Sequence, residues 1–314
     1  MPAAAKKARF SVRNWSEYNE SLVARGSITL WFSEEALQAW YHENGAGKRG
    51  RPFRYSDSTI ELFLSIRELL RLPYRQTEGF VRGLLTLVRD ELDVPDFTSA
   101  AKRAAKLGVE LPVMPRQGNI DVVLDSTGLK VFGEGEWKVR QHGPSKRRTW
   151  RKLHLAIDPQ THEILAEALT TNAGHDADQA GELLDAVPAK IETVTGDGAY
   201  DQWKVYATID QRQAKPRIAP RHDAKIKRHA NTLGPRLARD EAIRQIRRVG
   251  RKQWKKSSGY HRRSLVETAV FRLKTTFGAV LKNRRFDNQR TEARLRCKIL
   301  NQFTRSLPVR SQPN

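Results

Sequence analysis

The sequence has 314 residues, in which 57 lysines and arginines face 35 aspartates and glutamates, and its net charge is +22. Charge this one-sided normally indicates a polyanionic partner, because it raises the self-repulsion of a folded chain, and nucleic acid is the first candidate. A single cysteine excludes an internal disulfide and a cysteine-built zinc site, and no apolar run approaches the ~18 residues of a membrane span. The basic N-terminus lacks the apolar core of a secretory signal, so we expect a cytoplasmic protein.

The N-terminal part of the chain is predicted to be helical. Apolar residues at helical spacing over residues 57–93 indicate two helices separated by an LPY tripeptide, and a short third helix, TSAAKRAAKL, follows. Helix, turn, helix and a short basic helix are typical of a DNA-reading module, in which Lys102 and Arg103 would contact DNA. The alternative is a plain helical bundle on which these cations are solvated. We predict an all-α, helix-turn-helix-like DNA-binding region over residues 1–115.

After the third helix, the apolar spacing changes from helical to alternating. The alternation predicts three antiparallel strands, and in the second of them Trp150 alternates with the apolar residues up to Ile157. The later elements are a helix at 176–188 capped by Asp176 or Asp178, a strand at 192–196, a helix at 201–212, a strand at 216–220 and a helical tail from 262. This order is that of a ribonuclease-H-like fold, so residues 116–310 are predicted to form an α/β domain, a mixed sheet flanked by helices.

A basic stretch interrupts this domain at about residues 221–258. Residues 221–263 contain 15 lysines and arginines against three acids, a local charge of +12. The stretch is predicted to contact the DNA backbone, although such a charge run is also typical of a solvated loop. Its candidate DNA contacts are Arg247, Arg248, Arg251, Lys252 and Trp254.

Two aspartates are candidates for phosphodiester chemistry, in which two metal ions held by carboxylates activate the attacking oxygen and stabilise the leaving oxygen. Asp125 lies inside an apolar strand, where a charge is costly unless it is paired or binds metal. A solvent-facing position is the alternative, and Asp121 at the start of the strand is a rival. Asp197 follows a buried strand, and sites form at the carboxyl ends of such strands. The alternative for Asp197 is a plain Gly-Asp-Gly turn.

The third candidate acid lies on a helix. At 100° per residue, Tyr260, Arg263, Glu267 and Lys274 fall within one arc of ~60°, beside the apolar face of the same helix. This grouping suits a metal-bound acid next to a DNA phosphate. The alternative is a simple Arg263–Glu267 pair one turn apart, which would contribute only ~0.2–0.5 kcal/mol.

Taken together, these motifs resemble the DDE transposases of bacterial insertion sequences, most closely the insertion-sequence-five family. The helix motif of that family is Tyr, two residues, Arg, three residues, Glu, six residues and Lys, and it stands unbroken in YHRRSLVETAVFRLK. The segments LDSTGLKVFG, GDGAYD, WRKLHLAID and LPYRQTEGF also look like those of the family. The resemblance covers roughly residues 15–305.

The resemblance implies a role for each matching residue. Asp125, Asp197 and Glu267 would be the catalytic acids and would hold two Mg²⁺ ions, for which Mn²⁺ would substitute. Tyr260, Arg263 and Lys274 would grip the terminal phosphates and nucleotides of the transposon end. In relatives with a large insertion before the glutamate, a tryptophan holds a flipped base, and Trp254 is the candidate here, with a packing role as the alternative.

The resemblance also implies the reaction and its partners. The enzyme would bind terminal inverted repeats on double-stranded DNA, cleave the ends and join the 3′-hydroxyl to target DNA, as a homodimer or higher oligomer at the bacterial nucleoid. One alternative is a nuclease of the same fold that never joins strands. The other is a catalytically silent DNA-binding protein derived from a transposase.

Overall fold

The computed structural model of the chain describes residues in both predicted regions. They are residues 10–12, 14–27, 32, 34–43, 52–89, 91–115, 118–132, 149–228, 237–305 and 311–313. In these ranges, no helix combines the length and the apolar character that crossing a membrane requires.

The N-terminal region consists of helices, as the apolar spacing predicts. In the described part of the chain before the main sheet, the elements are β1 (Phe10–Val12), α1 (Trp15–Ala24), α2 (Glu34–Gln38), α3 (Asp57–Leu70), α4 (Tyr74–Val88) and α5 (Phe97–Ala104). Ser56 caps α3, because its side chain accepts a hydrogen bond from the N–H of Thr59 at 3.1 Å. The helix ends at Arg71, whose left-handed conformation precedes Pro73. Helices α3, α4 and α5 pack around one apolar core.

A mixed sheet forms the centre of the second region. Its strands are β2 (Ile120–Val131), β3 (Trp150–Ile157), β4 (Ile164–Thr171), β5 (Ile191–Gly196), β6 (Lys215–Ile218) and β7 (Val280–Leu281). The order is β4–β3–β2–β5–β6, with β7 beside the far end of β2. Strands β2, β3 and β4 are antiparallel neighbours, and β5, β6 and β7 add parallel pairings. This topology confirms the predicted ribonuclease-H-like fold.

Helices cover both faces of the sheet. The remaining elements are α6 (Asp176–Asp185), α7 (Trp203–Gln211), α8 (Ala238–Val249), α9 (Arg251–Ser257), α10 (Ser264–Phe277), α11 (Phe286–Arg305) and β8 (Ser311–Pro313), which pairs with β1. Because side chains alternate along a strand, Val122 and Leu124 of β2 pack against α6 and α7, whereas Val123 and Leu129 pack against α10 and α11. The basic stretch contributes α8 and α9.

The predicted alternation in β3 is wrong at its first position. Leu153 and Leu155 belong to the core under α10 and α11. Trp150 lies an odd number of residues from both, so the two-residue period of a strand places it on the opposite face, with Lys152 and His154. The apolar character of Trp150 therefore does not reflect burial in that core.

The N-terminal helices dock on the α/β region through a buried ionic network. Glu68 of α3 accepts a hydrogen bond from Arg296 of α11 at 2.8 Å, and Arg296 also pairs with Glu292 at 2.5 Å. All three side chains are almost fully buried. Removing one partner of such a network typically costs ~3–5 kcal/mol. The predicted boundary after residue 115 therefore separates regions that share a buried interface.

Candidate functional site

The sheet register brings two of the candidate acids side by side. Strands β2 and β5 are parallel neighbours, and Val123 pairs with Thr195 at the end of their ladder. Asp125 and Asp197 lie two residues beyond these partners, Asp125 within β2 and Asp197 directly after β5, and neighbouring strands stand ~4.8 Å apart. Their backbone supports both carboxylates. The Asp197 side chain accepts the N–H of Ala199 at 2.9 Å, and Asp125 accepts the N–H of the following residue at 2.9 Å.

The turn after β5 leaves little room for a side chain at position 196. A Cβ atom there would lie 3.0 Å from the ring of Tyr200, closer than neighbouring atoms normally approach. Tyr200 is buried beneath this turn, which is a single 3₁₀ turn over Gly198–Tyr200 with Asp197 as its cap. The GDGAYD segment therefore folds back on itself and fixes where Asp197 points.

Arg263 connects the third acid to this pair. Its Nη1 lies 3.3 Å from Oδ2 of Asp125, and its Nη2 lies 3.4 Å from Oε1 of Glu267. Both contacts are long for hydrogen bonds between charged groups, which are usually 2.7–2.9 Å. Glu267 is 64% exposed and begins the first turn of α10, so it stands at the rim of the site. The Arg263–Glu267 pair that was the alternative interpretation exists, but it extends to Asp125.

The site concentrates negative charge. Burial raises the pKa of Asp125 above its ordinary value, and the nearby Asp197 and Asp176 raise it further against the opposing effect of Arg263. Burial, followed by the charges of Asp197 and Asp125, also raises the pKa of Tyr260. Burial and the neighbouring acids disfavour the charged form of Asp125, so any cation that binds between the acids stabilises its carboxylate.

The donor set suits a hard divalent cation. Asp125 and Asp197 offer adjacent carboxylate oxygens, the ligands that Mg²⁺ prefers. As the side chains stand, the described residues contain no group of three acids, histidines or cysteines close enough to hold one ion. Glu267 would complete the set only after leaving its long contact with Arg263. The residues therefore fit a metal site of two fixed acids and one adjustable acid.

Asp176, a fourth acid that the sequence analysis treated only as a helix cap, lies beside the site. It does not cap α6, which His175 precedes with no side-chain bond to the helix end. Instead it accepts a hydrogen bond from Lys152 at 3.1 Å and lies 3.2 Å from the buried ring of His154. Burial opposes its charge, but hydrogen bonds from these two residues and Ser126 hold the pKa of Asp176 well below its usual range.

Asp121, the rival to Asp125, is engaged elsewhere. Its carboxylate accepts a hydrogen bond from Arg262 at 2.6 Å, and Arg217 lies 3.8 Å away. The hydroxyl of Thr193 also donates to it. Asp121 therefore has two cations and a hydroxyl as partners, whereas Asp125 has one long cation contact.

Asp201, which the sequence analysis missed, ties the basic stretch to the Asp197 loop. Its carboxylate is fully buried and accepts two hydrogen bonds from Arg239 of α8, at 2.6 and 3.0 Å. It also accepts the N–H of Arg221 at 2.9 Å and the hydroxyl of Tyr206 at 3.2 Å. The only local signal was its place four residues after Asp197.

The predicted DNA contacts of the basic stretch differ in exposure. Arg247, Arg248 and Lys252 are exposed, and Arg251 is half-buried. Trp254 is only 3% exposed and packs with Tyr260, their ring centroids 5.9 Å apart. The packing alternative therefore describes Trp254 in this conformation, and base stacking stays a prediction that would require the indole to move.

The remaining predicted contacts lie on α5 and α10. Lys102 is exposed, whereas Arg103 donates hydrogen bonds to the carbonyl of Tyr55 and the carboxylate of Asp57. Arg103 thus holds the start of α3 in place. Lys274 is half-buried, two turns beyond Glu267 on α10.

Comparison with known proteins agrees with this geometry. Residues 116–302 match a family model described as "Transposase DDE domain", and residues 23–134 match a second model with the same description. A cryo-EM structure of a piggyBac transposase synaptic complex with hairpin DNA aligns with 95% of this chain and 77% of that chain, at 11% identity and a TM-score of 0.42. A similarity that low carries no argument about this chain's chemistry. The narrower insertion-sequence-five assignment stays a prediction. Because the first match covers more than half of its length, the chain belongs to the DDE transposases of insertion sequences.

Proposed function

We propose that this transposase binds the terminal inverted repeats of an insertion sequence, cleaves the DNA there and joins the freed 3′-hydroxyl to target DNA. The observation that carries the proposal is the register that sets Asp125 beside Asp197, with Arg263 linking Asp125 to Glu267. Carboxylates beside a guanidinium with long contacts are suited to phosphodiester chemistry, in which negative charge develops on two oxygens.

Asp125, Asp197 and Glu267 would hold two Mg²⁺ ions, with Mn²⁺ as a substitute. Bound ions of this kind activate the attacking oxygen and stabilise the leaving oxygen. The chain itself fixes two of the acids, because backbone N–H groups hold the carboxylates of Asp125 and Asp197. Among the described residues, the recorded contact of the Glu267 carboxylate is its long one with Arg263, which it would give up to join the other two acids.

Three side chains next to the acids would grip the transposon end. A cation bound at Asp125 would take the place of the Arg263 guanidinium there. Arg263 would then be available to a DNA phosphate, to which a guanidinium can donate two hydrogen bonds. The charges of Asp197 and Asp125 contribute to the raised pKa of Tyr260, so Tyr260 lies near both acids and would border the same phosphate. Lys274 would meet the DNA two turns further along α10.

The rest of the DNA would be held by two other surfaces. The exposed cations of α8 and α9 follow the DNA backbone, since phosphate contacts fix position without reading sequence. Reading of the terminal repeats is assigned to residues 1–115, where Lys102 is one of several exposed cations. Because both ends must be cut together, the active form is at least a homodimer on DNA, in the bacterial cytoplasm at the nucleoid.

The test is a strand-transfer reaction. The full chain is incubated with duplexes carrying its terminal repeats, Mg²⁺ and a target plasmid, and any joints are sequenced. Joints between the 3′ end of the repeat and the plasmid support the proposal. Cut ends without joints would indicate a nuclease, and specific binding without cutting would indicate a silent DNA-binding protein.

A further inference from the structure

The hairpin beside the candidate acids carries an aromatic side chain without an evident structural task. Trp150 begins β3 directly opposite Lys130 of β2. Its indole is half-buried, yet it contributes to none of the apolar clusters that the described residues form. Core packing among the described residues therefore does not account for a large aromatic ring at this position.

A glycine shapes the surface beneath this ring. A Cβ atom at Gly128 would lie 3.2 Å from Cε3 and 3.4 Å from Cζ3 of Trp150, so the indole rests on bare backbone. Gly128 pairs with Lys152 and Lys130 pairs with Trp150, so the indole reaches Gly128 diagonally across the hairpin. The arrangement holds the six-membered ring against the sheet.

One cation lies over the ring, because the ammonium of Lys130 is 5.6 Å from the ring centroid. Lys152 is the next residue on the same face of β3, and its ammonium is already paired with Asp176. An apolar protein segment laid on this indole would desolvate the ammonium of Lys130 without compensating it. A nucleotide fits both features, because its base is flat and its phosphate is anionic.

The indole of Trp150 is within reach of a DNA strand that is cleaved at the candidate acids. Gly128 lies three residues from Asp125 along β2, a separation of ~10 Å, or about three nucleotide steps of a DNA strand. Among the described pairings, β2 has no neighbour on its β5 side between the end of the β5 ladder at Val123 and the β7 ladder at Lys130. A DNA end lying over this open edge reaches the Trp150 face of the sheet.

We propose that Trp150, seated on Gly128 between Lys130 and Lys152, is a stacking platform for an unpaired nucleobase of the DNA near the scissile phosphate. This inference rests on the proposed function, because it requires DNA at the acids. Stacking of a base on an aromatic ring is largely indifferent to base identity. The platform therefore favours a frayed end over a paired one without reading its sequence.

The experiment uses the full chain and a duplex with a short unpaired 3′ end containing 2-aminopurine, in Ca²⁺. Anisotropy reports DNA binding, and quenching of 2-aminopurine emission reports stacking. Wild-type protein should quench the emission, and Trp150→Ala should lose the quenching and bind the unpaired end about 5- to 100-fold more weakly, as expected for one base–aromatic stack. A fully paired duplex should bind both proteins equally.

Three further variants separate stacking from general damage. Trp150→Phe should keep most of the quenching, and Gly128→Ala should reduce it, because the added Cβ displaces the ring. Lys204→Ala, which removes an exposed cation of α7 outside the surfaces assigned to DNA, should behave as wild type. Equal quenching by Trp150→Ala and wild type, with DNA bound, overturns the platform alone. Failure of the wild-type protein to bind DNA overturns the proposed function, and the platform with it.

Discussion

The contact between Asp201 and Arg239 gives the sharpest test of how the basic stretch is held against the Asp197 loop. The Asp201 carboxylate is fully buried and the Arg239 side chain is 12% exposed. Each charged hydrogen bond between them contributes ~1.5–3 kcal/mol, and removing one partner of a buried pair costs ~3–5 kcal/mol. We expect Asp201→Asn to lower the free energy of unfolding by ~3 kcal/mol, since Arg239 keeps some access to water.

This loss should appear in thermal unfolding as a fall in the melting temperature of roughly 5 °C, at ~1.5 °C per kcal/mol for a chain of 314 residues. Arg239→Met should give a similar fall, and the double variant should be no worse than either single variant, because neither charge is then left unpaired. Lys204→Ala removes an exposed pair with Asp178 and should change stability by at most ~1 kcal/mol. Additive losses in the double variant would refute the pairing.

The pH dependence provides an independent check. Burial opposes the charge of Asp201, but its hydrogen bonds from Arg239 and the N–H of Arg221 bring its pKa below the ordinary value. A carboxyl whose pKa is lower in the folded state stabilises the protein above its unfolded pKa of ~3.9, and this contribution is lost as the pH falls towards the folded pKa. Wild-type protein should therefore lose more stability than Asp201→Asn in this acid range.

Three other outcomes follow from the site and its surroundings. Cleavage should require Mg²⁺ or Mn²⁺, and Ca²⁺ should support binding better than cutting, because it coordinates oxygens loosely and at longer distance; full activity in excess EDTA would contradict this. Replacing four cations of α8 and α9, Arg247, Arg248, Arg251 and Lys252, with alanine should weaken binding to specific and random duplexes equally. It should also flatten the slope of log K against log salt by up to ~3–4 units, at ~0.9 per phosphate. Lys204→Ala is the control, and an unchanged slope with lost discrimination between specific and random duplexes would mean that the four residues read sequence. Trp254→Phe should retain cleavage if the indole only packs on Tyr260, whereas a specific loss of base flipping, measured with 2-aminopurine at the cut, would show that it stacks on a base.

The sequence predicts the site where its signals are local. Asp125 lies within a run of apolar strand residues, and Asp197 directly follows a buried strand between two glycines. Both features can be recognised within about ten residues of sequence. The helical spacing that groups Glu267 with Arg263 is local as well, and the contact between these two residues is present in the structure.

Other contacts around the site are made by tertiary packing, and no local sequence pattern indicates them. Asp176 meets Lys152 and His154 because α6 begins over β3, and Asp201 meets Arg239 across 38 residues. No periodicity within one element specifies such contacts. The predicted alternation at Trp150 failed for a different reason, since an apolar side chain was taken as evidence of core burial.

The central claim is that Asp125, Asp197 and Glu267 form one metal-dependent site for phosphodiester cleavage. Its most direct test is cleavage of a labelled terminal-repeat duplex by the full chain in Mg²⁺, with binding measured on the same samples. The variants are Asp125→Asn, Asp197→Asn and Glu267→Gln, each of which removes a metal-binding charge with little change in shape. We predict that all three bind the repeat as wild type does and fail to cut it. Cleavage at the wild-type rate by any one of them would contradict the claim for that residue.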